Sequence, residues 1–190
     1  MSKTEILHLV ISWLTISVAF SFIFGKVGLT ALAYFPVMLV AVGTAFVLHE
    51  LGHKYVAIAY GARAEYRAWT WGLIMAIGLA IVTNGSFVFA APGAVYIMSR
   101  NLTKAQNGKI ALAGPMVNFL LGAFFLFLVF YVGVWQGFFF LLAQINLFLG
   151  FFNLLPIYPL DGAKVKAWSF NAWMSIFALC GGLLAVLYAI

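Results

Sequence analysis

Five stretches of this chain carry no charged side chain: 6 to 25, 27 to 49, 68 to 99, 110 to 160 and 167 to 190. A helix crossing the hydrocarbon of a bilayer takes about 20 apolar residues, so each stretch is long enough for at least one crossing. Burial inside a soluble core cannot account for them. The chain is 66% hydrophobic and 7% charged, where soluble domains carry about a quarter charged residues. The surface must therefore be apolar as well as the interior, which is the condition for facing lipid.

The run 110 to 160 has length for two crossings, and GVWQG (133 to 137) supplies glycines for the turn between them. The run 68 to 99 divides differently. It predicts a short helix over roughly 69 to 83, a break at Asn84, Gly85 and Ser86, and then FVFAAPGAVYIM (87 to 98), whose Pro92, Gly93 and aromatic and β-branched flanks suit a strand or re-entrant chain. The expected architecture is an all-α integral membrane protein of about six transmembrane helices with a short strand or re-entrant element near 86–98. It is expected to form one polytopic domain over 1–190, with its core at 27–166. The run 6 to 25 lacks a clear small-residue cleavage site and reads as a retained first crossing rather than a signal peptide. Cys180 is the one cysteine, so no internal disulfide can form.

The net charge of +6 means less than its distribution. If the amino terminus is cytoplasmic and residues 68 to 98 go out and come back, Lys3, Lys54, Arg63, Arg67, Arg100, Lys104, Lys109, Lys164 and Lys166 fall inside and only Lys26 outside. That is a positive-inside pattern. It points to membrane lipids as the partner of the basic residues, with no nucleic acid.

Residues 49 to 53 read HELGH, at the end of the second charge-free run. On a helix, residues four apart share a face, so His49 and His53 can hold one metal ion while Glu50 takes a proton from water beside it. A pattern this short also arises by chance, and an interfacial histidine is often simply hydrogen-bonded. The setting argues for function, because an ionisable residue in a crossing is costly and the chain has only four acids.

A catalytic zinc site usually keeps three protein ligands and an open position. His8 lies near the start of the first crossing and is a poor third ligand, and Glu5 and Glu65 sit among basic residues where a solvated charge is the ordinary explanation. Asp161 closes NLLPIYPLDG (153 to 162), in which Pro156 and Pro159 force the chain to unwind. Unwound backbone at membrane depth must be buried in protein or line a watery cavity, and Asn153 and Asp161 flank such a segment. The plainer reading is a helix end capped by polar residues at the interface. Between His53 and Asp161 the chain must cross an even number of times to bring both to one ion, and the charge pattern asks for the same outward and return excursion.

HELGH followed about a hundred residues later by NLLPIYPLDG, with GPMVN (114 to 118) between them, resembles the site-2 protease family of intramembrane zinc metalloproteases over roughly 44 to 166. The resemblance implies one Zn2+ per chain held by His49, His53 and Asp161, with Glu50 as catalytic base and Asn153 positioning substrate or stabilising the oxyanion. For Gly114, Pro115 and Asn118 it implies close helix packing near the site, and their expected role is packing and hydrogen bonding. The substrate would be a transmembrane protein or peptide, and the protein would sit in the cell membrane with its amino terminus and active-site entrance cytoplasmic. Many members carry a PDZ or nucleotide-sensing domain; this sequence resembles a minimal catalytic core, and it has an added apolar segment before FVFAAPGAVYI. Residues 87 to 97 could offer an edge for an extended peptide, ordinary hairpin packing being the alternative. Two other functions remain open at this point: a non-proteolytic membrane scaffold or chaperone of the same fold, which has no need of Glu50, and a metal transporter, which needs further polar ligands where the interior offers little beyond Gln144 and Asn146.

Overall fold

Where every side chain of a long segment is apolar, the backbone amides are the only polar groups left, and in hydrocarbon a helix satisfies them within the segment itself. The computed structural model, which describes residues 1–88, 92–99 and 101–190, is built on that solution. Its elements in chain order are α1 (Lys3–Gly25), α2 (Leu29–Val42), a π-turn (Gly43–Val47), α3 (Leu48–Ala59), β1 (Arg63–Ala68), α4 (Thr70–Val82), β2 (Gly93–Met98), α5 (Lys104–Tyr131), a 3-10 turn (Gly133–Trp135), α6 (Gln136–Asn153), α7 (Asp161–Trp168) and α8 (Phe170–Ala189).

Five helical runs among the described residues are long and apolar enough to cross a bilayer: Lys3–Gly25, Leu29–Ala59, Lys104–Tyr131, Gly133–Asn153 and Phe170–Ala189. The further helix expected over 69 to 83 is α4. Its 13 residues rise about 20 Å, short of the roughly 30 Å of hydrocarbon. The strand expected near 86–98 is β2, and residues 89–91 of FVFAAPGAVYIM, like Arg100 of the charge pattern, lie outside the described residues. β2 pairs with β1 in a two-stranded sheet. The sequence did not suggest β1, because its three charged residues mask an inward alternation of Ala64 and Tyr66.

The chain forms two compact units, Met1–Gly43 with Ala64–Tyr96, and Thr44–Arg63 with Ile97–Ile190. In the first, α1 packs against α2 and α4, and its polar residues serve the sheet. Glu5 is fully buried, contrary to the expectation of a solvated charge, because its Oε1 accepts from the Tyr66 amide at 3.1 Å. His8 Nδ1 accepts from the Ala68 amide at 3.2 Å, and Ser12 Oγ accepts from the Tyr66 hydroxyl at 2.9 Å. Amides of β1 thus find partners on a helix. Glu65 pairs with Arg67.

In the second unit α5 is the central helix, packed on α3, α6, α7 and α8. Its start is fixed by a capping box, Thr103 Oγ1 accepting from Gln106 N and Gln106 Oε1 from Thr103 N. Gly52, inside HELGH, lets α3 come close: a Cβ there would lie 3.1 Å from the Ala113 carbonyl of α5. The chain unwinds between Asn153 and Asp161 as the two prolines require. Trp173 Nε1 donates to the Leu154 carbonyl at 2.7 Å, and Leu154, Val165 and Trp173 share a core cluster. These contacts anchor the unwound stretch that sets where Asp161 begins α7.

The break after α4 has a sharp backbone requirement. Gly85 has φ 75°, and a Cβ there would collide with the Phe22 carbonyl of α1. Gly78 of α4 faces open space. Gly85→Ala is therefore expected to destabilise by at least about 1–3 kcal/mol, and Gly78→Ala to change stability by no more than about 1 kcal/mol, both read from thermal unfolding in detergent.

Candidate metal centre

One helical turn separates His49 from His53, which places both imidazoles on the face of α3 that meets α5. Both are buried, at 3% and 7% exposure. A buried imidazole needs a partner for each nitrogen, and the Nδ1 partners are supplied by α5: His53 Nδ1 donates to the Ile110 carbonyl at 2.7 Å, and His49 Nδ1 meets Asn118 Oδ1 at 2.5 Å. Since a carbonyl can only accept, His53 carries a proton on Nδ1, and in the neutral ring that a metal requires the lone pair is on Nε2.

The two Nε2 atoms lie 3.0 Å apart. Asp161 Oδ2, delivered from the start of α7, is 3.3 Å from His49 Nε2 and 3.0 Å from His53 Nε2. Among the described residues these three are the cluster able to hold a metal ion, with ligand atoms within 4.8 Å of one another. Donors bound to a tetrahedral ion at about 2.0–2.1 Å lie about 3.3 Å apart, so the separations suit zinc-sized coordination. Asp161 Oδ2 thus faces both imidazole nitrogens from a side chain only 13% exposed. Lys164 Nζ lies 3.8 Å from Asp161 Oδ1, half exposed to solvent and so of small effect.

Two further observations bear on whether an ion fits. A Cβ at Gly114 of α5 would lie 2.6 Å from His49 Nε2 and closer still to His53 Nε2. Glycine therefore leaves open the space beside both Nε2 atoms. Glu50, the next residue after His49, has a buried Oε2 with no hydrogen-bond partner among the described residues, which is costly unless water or a ligand meets it. Together with the two-imidazole, one-carboxylate donor set, these features fit a divalent ion with water at its open side.

The comparisons with known proteins agree with the geometry. The family model described as peptidase family M50 matches residues 37–134 and 131–177. The chain belongs to peptidase family M50, the site-2 protease family its paired motifs resemble. It is 45% identical over 177 residues, 90% of this chain and 88% of the relative, to a protein of Methanocaldococcus jannaschii provisionally named a zinc metalloprotease. It is 27% identical to a second protein of that organism, named zinc metalloprotease, covering 70% of this chain but 34% of the relative. A Bacillus subtilis protein, also provisionally named a zinc metalloprotease, is 29% identical over 70% of this chain and 69% of its own length. No solved structure matches. As an M50 member with five long apolar helices among the described residues, the chain is a multi-pass membrane metalloprotease.

The M50 motifs do not read equally well onto the structure. His49, His53 and Asp161 are brought together, with Glu50 on the same helix. Asn153 ends α6 and donates from Nδ2 to the Leu149 carbonyl of its own helix at 3.0 Å. Asn118 hydrogen-bonds the His49 imidazole, and Gly114 lies directly against both rings. The Ile110 carbonyl had no signal in the sequence, because any residue type can supply it. Gly114→Ala is expected to lower metal retention at least about tenfold, whereas Gly182→Ala, facing open space on α8, leaves it unchanged; elemental analysis after dialysis against a weak chelator compares them.

Proposed function

We propose that this chain is an intramembrane zinc metalloprotease that hydrolyses peptide bonds in or near transmembrane segments of membrane protein substrates. The observation that carries this reading is the convergence of His49 Nε2, His53 Nε2 and Asp161 Oδ2, next to a glutamate with an unpartnered buried oxygen. One zinc ion would be held by those three atoms. Bound there, it supplies a Lewis acid that polarises the scissile carbonyl and makes water a stronger nucleophile at neutral pH.

The remaining steps fall to the chain. Glu50 takes the proton of the attacking water and returns it to the leaving amine. Asn153 has two amide hydrogens, one given to Leu149 O and one left to stabilise the oxyanion as the carbonyl becomes tetrahedral. A scaffold or chaperone has no use for the Glu50 carboxyl. A transporter would need ligands strung along a crossing, whereas Asn146 turns toward Asn118 and Thr44, and Gln144 toward Tyr188.

Single-span membrane proteins incubated with the purified protein in detergent and zinc test the reading directly. Glu50→Ala is expected to cut the cleavage rate about 10²–10⁴-fold while retaining zinc. Equal cleavage by both proteins would sink the assignment of Glu50.

The cytoplasmic amino terminus and site entrance in the cell membrane rest on the positive-inside count. Tyr60, at the end of α3 and 37% exposed, reports on it. In a background where Cys180 is alanine, Tyr60→Cys is expected to react with a membrane-impermeant thiol reagent only in inside-out vesicles; labelling of intact cells would reverse the orientation.

A further inference from the structure

Two asparagines that the proposed reaction does not use are fully buried in the second unit, Asn118 on α5 and Asn146 on α6. Their hydrogen bonds form one connected chain. Asn146 Nδ2 donates to the Leu142 carbonyl at 2.9 Å and to Thr44 Oγ1 at 3.1 Å. Asn118 Nδ2 donates to Asn146 Oδ1 at 3.3 Å and to the Ala45 carbonyl at 2.7 Å. Asn118 Oδ1 then faces His49 Nδ1 at 2.5 Å.

The order of donors and acceptors along this chain is forced. The Leu142 carbonyl can only accept, so the NH2 of Asn146 must point to it and its oxygen toward Asn118. The Ala45 carbonyl likewise can only accept, so Asn118 presents NH2 to Ala45 and Asn146, and its oxygen to His49. An amide oxygen has no proton to give, so His49 must carry its own proton on Nδ1. In the neutral ring the lone pair is then on Nε2, the nitrogen that meets His53 and Asp161. Thr44 and Ala45 belong to the π-turn Gly43–Val47 that directly precedes the HELGH helix, so the wide turn, the amide pair and the imidazole are linked without a break.

We propose that Asn118, oriented by Asn146, is a positioning residue that fixes His49 in the Nδ1-protonated tautomer and so sets zinc affinity. This rests on the reading of His49, His53 and Asp161 as the zinc site. Partners that hold a ligating imidazole typically govern metal affinity by 10–100-fold. The Asn118 contact is buried in a crossing, where water cannot replace it.

Zinc affinity measured by competition with a chromophoric chelator, beside thermal unfolding in detergent, tests the proposal on four variants. Asn118→Leu keeps the branching of the side chain but removes the acceptor, and is expected to weaken zinc binding about 10–100-fold, with cleavage recovered at saturating zinc. Asn118→Asp keeps an oxygen toward His49 while losing the donors to Ala45 and Asn146, so its zinc affinity should stay at or above the parental value even as its melting temperature falls. Asn146→Leu should weaken zinc binding less than Asn118→Leu. A purely structural role would lower the melting temperature of all three and separate none of them in zinc affinity. Parental affinity in Asn118→Leu, or equal loss in Asn118→Leu and Asn118→Asp, overturns the proposal. Should Asn118→Leu not fold, Asn146→Leu with parental affinity would overturn it as well. His49→Ala separates the two levels: if it binds zinc as the parent does, the metal-site reading itself is wrong.

Discussion

A polar atom removed from water must be met by another polar atom, and in hydrocarbon there is no solvent to repair an omission. That constraint organises the second unit of this chain. Two imidazoles, two asparagines and a carboxylate would be expensive among apolar helices if each stood alone. Instead α5 meets each histidine with one acceptor, Ile110 O or Asn118 Oδ1, and α6 meets Asn118 in turn. With every Nδ1 taken, the chemistry that remains is concentrated on one side: two nitrogen lone pairs, the Asp161 carboxylate and the Glu50 oxygen.

Much of this was legible in the sequence because hydrocarbon limits the options so severely. A charge-free run of about 20 residues has essentially one spanning solution, so the long helices could be placed from charge positions alone. HELGH encodes a shared face through the period of the helix, and the prolines of NLLPIYPLDG encode the place where a helix must stop. The convergence of Asp161 on the two histidines could be argued before the structure because topology and charge bias demanded the same number of crossings.

What stayed hidden depends on backbone atoms or on partners far along the chain. The sequence places Glu5 among basic residues and suggests a solvated side chain, yet it is buried against the amide of Tyr66, 61 positions away. β1 was concealed by its charges, and α4 is a helix too short for the crossing its apolar run allowed. The His53 acceptor is a main-chain carbonyl, which leaves no mark on residue type. GPMVN was read as packing and hydrogen bonding, which covers Asn118 but not the place of Gly114. Only the direction of the Gly114 Cα–Cβ vector shows that a methyl group would enter the space between the imidazole nitrogens.

The choice of an amide beside His49 follows from the charge the site must carry. A carboxylate in that place would draw the Nδ1 proton more strongly and make the imidazole a better donor to a metal. It would also add a negative charge inside a crossing that already holds Glu50 and receives Asp161. With zinc bound and both imidazoles neutral, the two carboxylates would balance the ion, so a neutral acceptor would add no further charge in a medium that penalises any excess. An amide supplies the same oxygen, and its NH2 group adds the two donors that Ala45 O and Asn146 Oδ1 require. Asparagine thus meets the His49 imidazole and satisfies the π-turn at once, a combination that an ionised aspartate, having no donor, cannot provide.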